Sequence, residues 1–238
     1  MKPVKIAHLY PAEMNIYGDR GNIITLVKRL AWRGWQPEVD EVEIGDKYDF
    51  TETDIIFGGG GQDRGQSLIA KDLQGRKQNL QAAASDGVVM LTICGTYQLF
   101  GHGFLTKDGE MIPGISLFDA QTNGSNVRMI GNLVVQSEFG ELVGFENHSG
   151  QTMLEPEQAP LGKVIKGYGN NDRSGFEGAI ANNVFGCYLH GPLLPKNPSL
   201  ADGLILRALR RRYGTEDLKP LDDELELKAA SVAKTRPR

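Results

Sequence analysis

Cys94 and His190, far apart in the chain, have the residue types and settings that nucleophilic chemistry requires. Cys94 ends an apolar run, Gly87 to Ile93, and is followed by Gly95 and a helix-like stretch, Thr96 to Phe100. A strand that breaks into a sharp turn and then a helix presents its apical side chain, and Gly95 removes the Cβ that would crowd the sulfur. The helix N-terminus favours thiolate over thiol, through unpaired N–H groups and the positive end of the peptide dipoles. A small core cysteine closing a strand is the competing reading. His190 also follows an apolar run, Val184 to Leu189, and Gly191-Pro192 then turns the chain away. An imidazole there can take the thiol proton and later deliver one to a leaving amine. His148 is the competing base, while His8 and His102 have no comparable setting.

The run Gly58 to Gly61 invites a phosphate-loop reading, which fails on its spacing. A G-x-G-x-x-G pattern begun at Gly58 or Gly59 ends on Asp63 or Arg64, and a Walker A reading of Gly60 to Ser67 places Gln66 where lysine is required. Without that ammonium the β and γ phosphates lose their main point charge, so ATP is not expected on this loop. Bare backbone after a strand can instead form an oxyanion hole, with the N–H groups of Gly59, Gly60 and Gly95 as donors. A plain turn remains the alternative.

The elements that must position these groups follow from periodicity. Val4 to Tyr10, Glu38 to Ile44, Thr53 to Phe57 and the run before Cys94 read as strands. Helical patterns lie between them, one with Ile23, Ile24, Val27, Leu30 and Ala31 on one face and stopped by Gly34, another near Ser67 to Ser85. Such alternation predicts a parallel sheet covered on both faces, with ligands at the C-terminal strand ends, where both Gly58 to Gly61 and Cys94 fall. From Gly114 to Gly150 turn residues punctuate the chain, and short strands are predicted at Met129 to Val135, Glu141 to Phe145 and Lys163 to Lys166, forming an antiparallel extension. The chain returns to a buried strand before His190 and a helix from about Ser199 to Tyr213. Residues 1–213 are expected to form one domain and 214–238 an extension, with a peripheral helix over Asp222 to Ala233 and a loose end from Lys234.

Composition narrows the classes. A net charge of −4 gives no nucleic-acid footprint or polybasic membrane patch, and the cluster Arg207, Arg210, Arg211 and Arg212 suits a helix C-terminus. Two cysteines are too few for a disulfide framework, and four scattered histidines show no metal-ligand spacing, so no metal is expected and reducing cytosol is the natural compartment. No secretory signal or apolar stretch of about 20 residues is present, so no membrane insertion is expected.

Together these features resemble the class I glutamine amidotransferases. The similarity is greatest to the cobyric acid synthase-like branch, through Ile93 to Gln98, Gly144 to Gly150 and Gly186 to Pro192, with support from Leu9 to Pro11, Asn15 to Asn22 and Gly58 to Arg64. The resemblance implies a flavodoxin-like three-layer α/β fold, with a mainly parallel central sheet and the antiparallel extension. It further implies that Cys94 attacks the side-chain amide of L-glutamine, giving a glutamyl thioester and ammonia, and that water, with His190 as base, releases glutamate. Arg128 matches the position expected to hold the substrate α-carboxylate, for which a planar guanidinium fork is suited. Gln98, one helical turn beyond Cys94 on the same face, can also touch substrate. Where many class I members carry a glutamate two residues after the histidine, this chain has Pro192. A backbone carbonyl or an acid from a partner is therefore expected in the third role.

Within that branch the chain is similar to glutaminase subunits that feed a Mur-ligase-like synthetase. The resemblance assigns ATP and magnesium to that partner, with no cofactor in this chain. The acceptor that the resemblance implies is the D-glutamate α-carboxylate of lipid II, amidated to D-isoglutamine in peptidoglycan synthesis. Cobyric acid synthases carry an additional nucleotide-binding domain for which there is no room here. Two other readings compete: a cysteine hydrolase of the DJ-1/PfpI type, against which Gly95 stands where histidine is common, and an inactive regulatory module of the same fold.

Overall fold

The computed structural model describes residues 2–16, 18–61 and 63–236, and for Asp63 and Arg64 the backbone alone. The first half alternates as the periodicity predicts: β1 (Pro3–Leu9), α1 (Arg20–Ala31), β2 (Gln36–Val42), β3 (Ile55–Gly58), α2 (Asp63–Ser85), β4 (Val89–Ile93) and α3 (Gly95–Phe100). After the middle segment come β11 (Ala179–Ala181), β12 (Val184–Cys187) and α4 (Pro198–Tyr213). The central sheet has the order β11-β12-β4-β3-β1-β2, parallel except for the edge strand β11. Read from β2 to β12 this is the flavodoxin-like order, with its switch point between β1 and β3. The crossover through α1 runs toward one edge and that through α2 toward the other, so right-handed connections put the two helices on opposite faces. The apolar strands β3, β4 and β12 are buried throughout, as a sheet covered on both sides demands.

The middle segment builds a second sheet from β5 (Gly103–Leu105), β6 (Met111–Pro113), β7 (Ala120–Ser137), β8 (Gly140–Leu154), β9 (Gly162–Lys166) and β10 (Phe176–Glu177). Its core is one long antiparallel hairpin, β7 with 18 residues and β8 with 15, rather than the short strands expected. Residues read as turn signals, Gly124 to Asn126, instead lie in an irregularity where the β7–β8 register shifts between Gly124 and Met129. Glycine and asparagine inside a paired strand mark bulges, which bend the ladder without ending it.

The second sheet reaches the first at the strand that leads to His190. The backbone of His190 bridges Phe145 of β8, its N–H donating to the Phe145 carbonyl at 2.8 Å and its carbonyl accepting from the Phe145 N–H at 3.3 Å. Beneath it, the Glu177 carboxyl accepts the Tyr188 N–H at 2.5 Å. Burial pushes that carboxyl up to about 8, so it is protonated at neutral pH.

The chain beyond Tyr213 forms α5 (Glu224–Thr235). The end expected to be loose is anchored through residue 236. The Lys234 ammonium pairs with the Glu141 carboxylate at 2.7 Å and 2.8 Å, and the Arg236 carbonyl accepts from Asn132 Nδ2 at 2.7 Å. A polar helix gains its docking from such cross-element contacts, which its own periodicity does not display. Pro237 and Arg238 lie outside the described residues.

Candidate active site

Cys94 caps β4 with φ +50° and ψ −107°, a conformation that costs a non-glycine residue about 1–3 kcal/mol and recurs at functional turns. The turn is held from three sides. Cys94 N–H donates to the Cys187 carbonyl at 2.8 Å, continuing the β4–β12 ladder, and its own carbonyl accepts the Gln98 N–H at 2.9 Å. Gly95 permits close packing of α2, since a Cβ there would lie 2.7 Å from Gln66 Nε2 and 2.8 Å from Met14 Cε. The helix that follows has only six residues.

His190 comes three residues after β12, the strand beside β4, so the parallel register that aligns Cys187 with Ile93 carries both side chains to the same rim. Gly191 at φ +87° makes the turn that follows. Pro192 then packs on Gly21, where a Cβ would meet its Cγ at 2.4 Å. Position 192 thus makes a packing contact with α1.

The meeting point of the two side chains is Gly60. A methyl group built on Gly60 would lie 3.0 Å from His190 Cε1 and 3.3 Å from Cys94 Cβ, so both flank this one glycine. His190 is fully buried, and burial first, with the neighbouring His148 second, pushes its pKa down to about 3. The imidazole is therefore neutral near pH 7, the form that can accept a proton from a thiol. We predict that Gly60→Ala, by wedging the pair apart, lowers kcat on the order of 10- to 100-fold while moving the thermal midpoint by only a few degrees. Steady-state ammonia release and a melting curve on the same preparation check both parts.

A cavity of about 500 Å³ opens over Cys94 and is lined by Gln98, Arg128, Asn147, His148 and the Thr106–Asp108 loop, among others. Arg128 sits at the β7 irregularity and donates Nε–H to Asn147 Oδ1 at 2.8 Å, which leaves the two terminal nitrogens as the pair for a carboxylate. Gln98 lines the wall, but its amide is engaged at both ends. Its oxygen accepts from Gln66 Nε2 at 2.5 Å, and its nitrogen donates to Tyr188 OH at 3.0 Å. Gln66, the residue in the place of a P-loop lysine, is thus an internal brace for Gln98. His148, the competing base, stacks flat on Tyr188 at 3.6 Å and 3°, and Nδ1 lies 2.9 Å from the Gly150 carbonyl. It faces the same cavity as Cys94, and burial lowers its pKa to about 4.

The glycine run needs one correction. The Gly60 N–H donates to Asp19 Oδ2 at 2.8 Å, so it is committed to a carboxylate rather than to a developing oxyanion. Gly95 directly follows Cys94, and the Gly59 carbonyl accepts from Thr96 Oγ1 at 2.7 Å. Asp19 lies immediately before α1. Its role in the site depends on a loop 41 residues away.

The sheet order and the strand-end cysteine define an amidotransferase-type α/β domain. The family model described as the CobB/CobQ-like glutamine amidotransferase domain matches residues 5–198, and this chain belongs to that family. Among its relatives, the lipid II isoglutaminyl synthase (glutamine-hydrolyzing) subunit GatD of Staphylococcus aureus (strain N315) is 40% identical over 98% of this chain and 95% of its own. The protein of the same name from Streptococcus pneumoniae (strain ATCC BAA-255 / R6) is 41% identical over 93% and 86%. A probable cobyric acid synthase of Methanothermobacter thermautotrophicus is more distant, 30% identical over 76% of this chain but only 38% of its own length. A crystal structure of a glutamine amidotransferase superposes with a TM-score of 0.59 at 14% identity, covering 85% of this chain and 98% of that one, a likeness of fold.

Proposed function

We propose that this chain is the glutamine-hydrolysing subunit of a lipid II isoglutaminyl synthase, with Cys94 as nucleophile and His190 as proton carrier. The observation that carries the reading is the convergence of Cys94 and neutral His190 on Gly60, beneath a cavity that also holds Arg128. Near full-length similarity to two proteins of that name supports the particular assignment.

In the reaction, Arg128 grips the α-carboxylate of glutamine and sets its side-chain amide over the sulfur. The Cys94 thiol passes its proton to His190 as sulfur bonds to the amide carbon, and the amide N–H groups of Gly59 and Gly95 face the oxyanion. His190 then protonates the amide nitrogen, the C–N bond breaks, and ammonia leaves a glutamyl thioester. Water gives a proton to His190 and its oxygen to the carbonyl. The C–S bond breaks, glutamate leaves, and the proton returns to sulfur.

Ammonia needs an acceptor, and we assign that step to a Mur-ligase-like synthetase subunit that holds ATP and magnesium and amidates the D-glutamate α-carboxylate of lipid II. In the glycine loop of this chain Gln66 stands where a phosphate loop carries lysine, and its side chain donates to Gln98. No helix among the described residues is long and apolar enough to cross a membrane. We assign the reaction to the cytoplasmic side of the lipid, where the ATP proposed for the partner is available. With Pro192 packed on Gly21, an acid from the partner or a backbone carbonyl completes the third role. The test is co-purification with the synthetase and comparison of ammonia release by the complex and by the single chain. Stimulation by the complex, together with ATP-dependent amidation of lipid II, is expected. Equal rates would overturn the dependence on a partner, and absence of glutamine turnover in the complex would overturn the assignment.

A further inference from the structure

Asp19 is a buried acid beside Cys94 and His190 to which the reaction above gives no part. It occupies the position before α1, yet its side chain caps no helix N–H. It is fully buried, with Oδ2 accepting the Gly60 N–H at 2.8 Å and Oδ1 buried without a hydrogen-bond partner. A half-satisfied carboxylate in the interior opposes folding, so its place in the molecule calls for a reason. The geometry supplies one. The Cβ position of Gly60, 3.0 Å from His190 Cε1 and 3.3 Å from Cys94 Cβ, is also 3.5 Å from Asp19 Oδ2. Gly59 is pressed between Met14 and the same carboxylate, since a Cβ there would meet Met14 O at 2.1 Å and Asp19 Oδ2 at 2.9 Å. One carboxylate therefore fixes the loop over which the two reacting side chains meet.

We propose that Asp19 is a positioning residue for glutamine hydrolysis: it clamps the Gly59–Gly61 loop through the Gly60 N–H and sets a negative charge toward His190, favouring the imidazolium formed when Cys94 gives up its proton. This rests on the assignment of Cys94 and His190 made above. The charge matters because Asp19 and His190 are both buried, where a unit charge near a forming cation is screened less than in water. Among the described residues the titratable groups near Asp19 are Cys94 from the β4–α3 turn, Cys187 at the end of β12, and His190 three residues beyond it. The Cys187 thiol is held well above its ordinary value, chiefly by burial, with Asp19 adding to the effect. Burial raises the Asp19 carboxyl to about 6 against the pull of the Gly60 N–H. Below that pH the carboxyl is protonated and its charge is gone; above it the charge is present.

The experiment compares Asp19→Asn and Asp19→Ala with Cys94→Ala and His190→Ala, all in the complex with the synthetase. Asparagine keeps an acceptor for Gly60 and removes the charge, whereas alanine removes both. For Asp19→Asn the expected result is a KM for glutamine within about twofold of wild type, a kcat lower on the order of 10²-fold, and loss of the acid limb expected for wild type near pH 6. Asp19→Ala is expected to lose more, through the released loop. Wild-type kcat and an unchanged acid limb in Asp19→Asn would overturn the proposal. So would a wild-type profile flat between about pH 5 and pH 7, a readout that stands even where the variants fail to fold. Retained ammonia release in Cys94→Ala or His190→Ala would instead overturn the site assignment beneath it.

Discussion

Cys94→Ala and His190→Ala, each assembled with the synthetase subunit, are expected to lose glutamine-dependent ammonia release on the order of 10⁵-fold, with the double variant no worse than either single one. The reason is that sulfur and imidazole act as one unit. Without the sulfur there is no thioester, and without the imidazole the thiol must attack while still protonated, and the leaving nitrogen has no proton donor. Both side chains lie in the buried wall around Gly60, and alanine removes bulk without introducing charge. Melting temperatures should therefore stay within several degrees of wild type, which separates lost chemistry from lost fold. If ammonia is supplied directly, lipid II amidation by either variant complex should recover, because the acceptor chemistry is assigned to the partner. Failure of added ammonia to restore amidation would show that the substitution damages the complex. Additive losses in the double variant would show that the two groups do not share a step.

The largest stability effect is expected at Arg29. Its side chain is only 2% exposed and holds two acids from later in the chain, Asp202 of α4 at 2.7 Å and Asp223 just before α5 at 2.6 Å. Arg33 joins the same group, donating to Asp202 at 2.6 Å and to the Lys219 carbonyl at 2.8 Å. Removing one partner from a buried ion cluster usually costs about 3–5 kcal/mol, because the others keep their desolvation without their counter-charge. Asp202 and Asp223 are about a quarter exposed, so Arg29→Ala should fall at the lower end, about 3 kcal/mol, or roughly 10 °C in the thermal midpoint. The acid dependence follows from Asp202. Burial works to raise its carboxyl, but hydrogen bonds and charge from Arg29 and Arg33 overcome this and hold it below the ordinary carboxylate value. A carboxyl lowered by folding stabilises the native state above its ordinary value, and that contribution disappears as pH falls through the lowered one. Arg29→Ala should thus lose less stability than wild type between neutral pH and strong acid. Equal acid sensitivity in the two proteins would show that the cluster does not contribute this term.

Periodicity located the elements of the central sheet well because they obey local rules. Strands buried on both faces read as continuous apolar runs, and the helices between them carry one apolar stripe. The same rules misread the β7–β8 hairpin, where Gly124, Ser125 and Asn126 look like a chain break but occupy a register shift in a continuous ladder. Pairing over 14 residue pairs stabilises such a bulge, and no local window contains its partner strand. In the tail the expected helix is present as α5, but the end from Lys234 is not loose for a similar reason: Lys234 and Arg236 are tied to Glu141 and Asn132, about a hundred residues earlier in sequence.

By itself, the sequence determined the kinds of groups available and the strand ends at which they emerge: a cysteine at a sharp turn, a histidine before Gly191-Pro192, an arginine for an anionic group, and a glycine run without a phosphate-loop lysine. These follow from local steric and electronic rules, which a few neighbouring residues suffice to impose. Only the tertiary structure decided that Cys94 and His190 flank Gly60, that Gln66 braces Gln98, and that the Gly60 amide answers to Asp19. Each of these is a contact between segments brought together by the parallel register and by packing across the sheet. The burial that keeps His190 neutral and raises Asp19 exists only when the second sheet and the helices close over those strand ends.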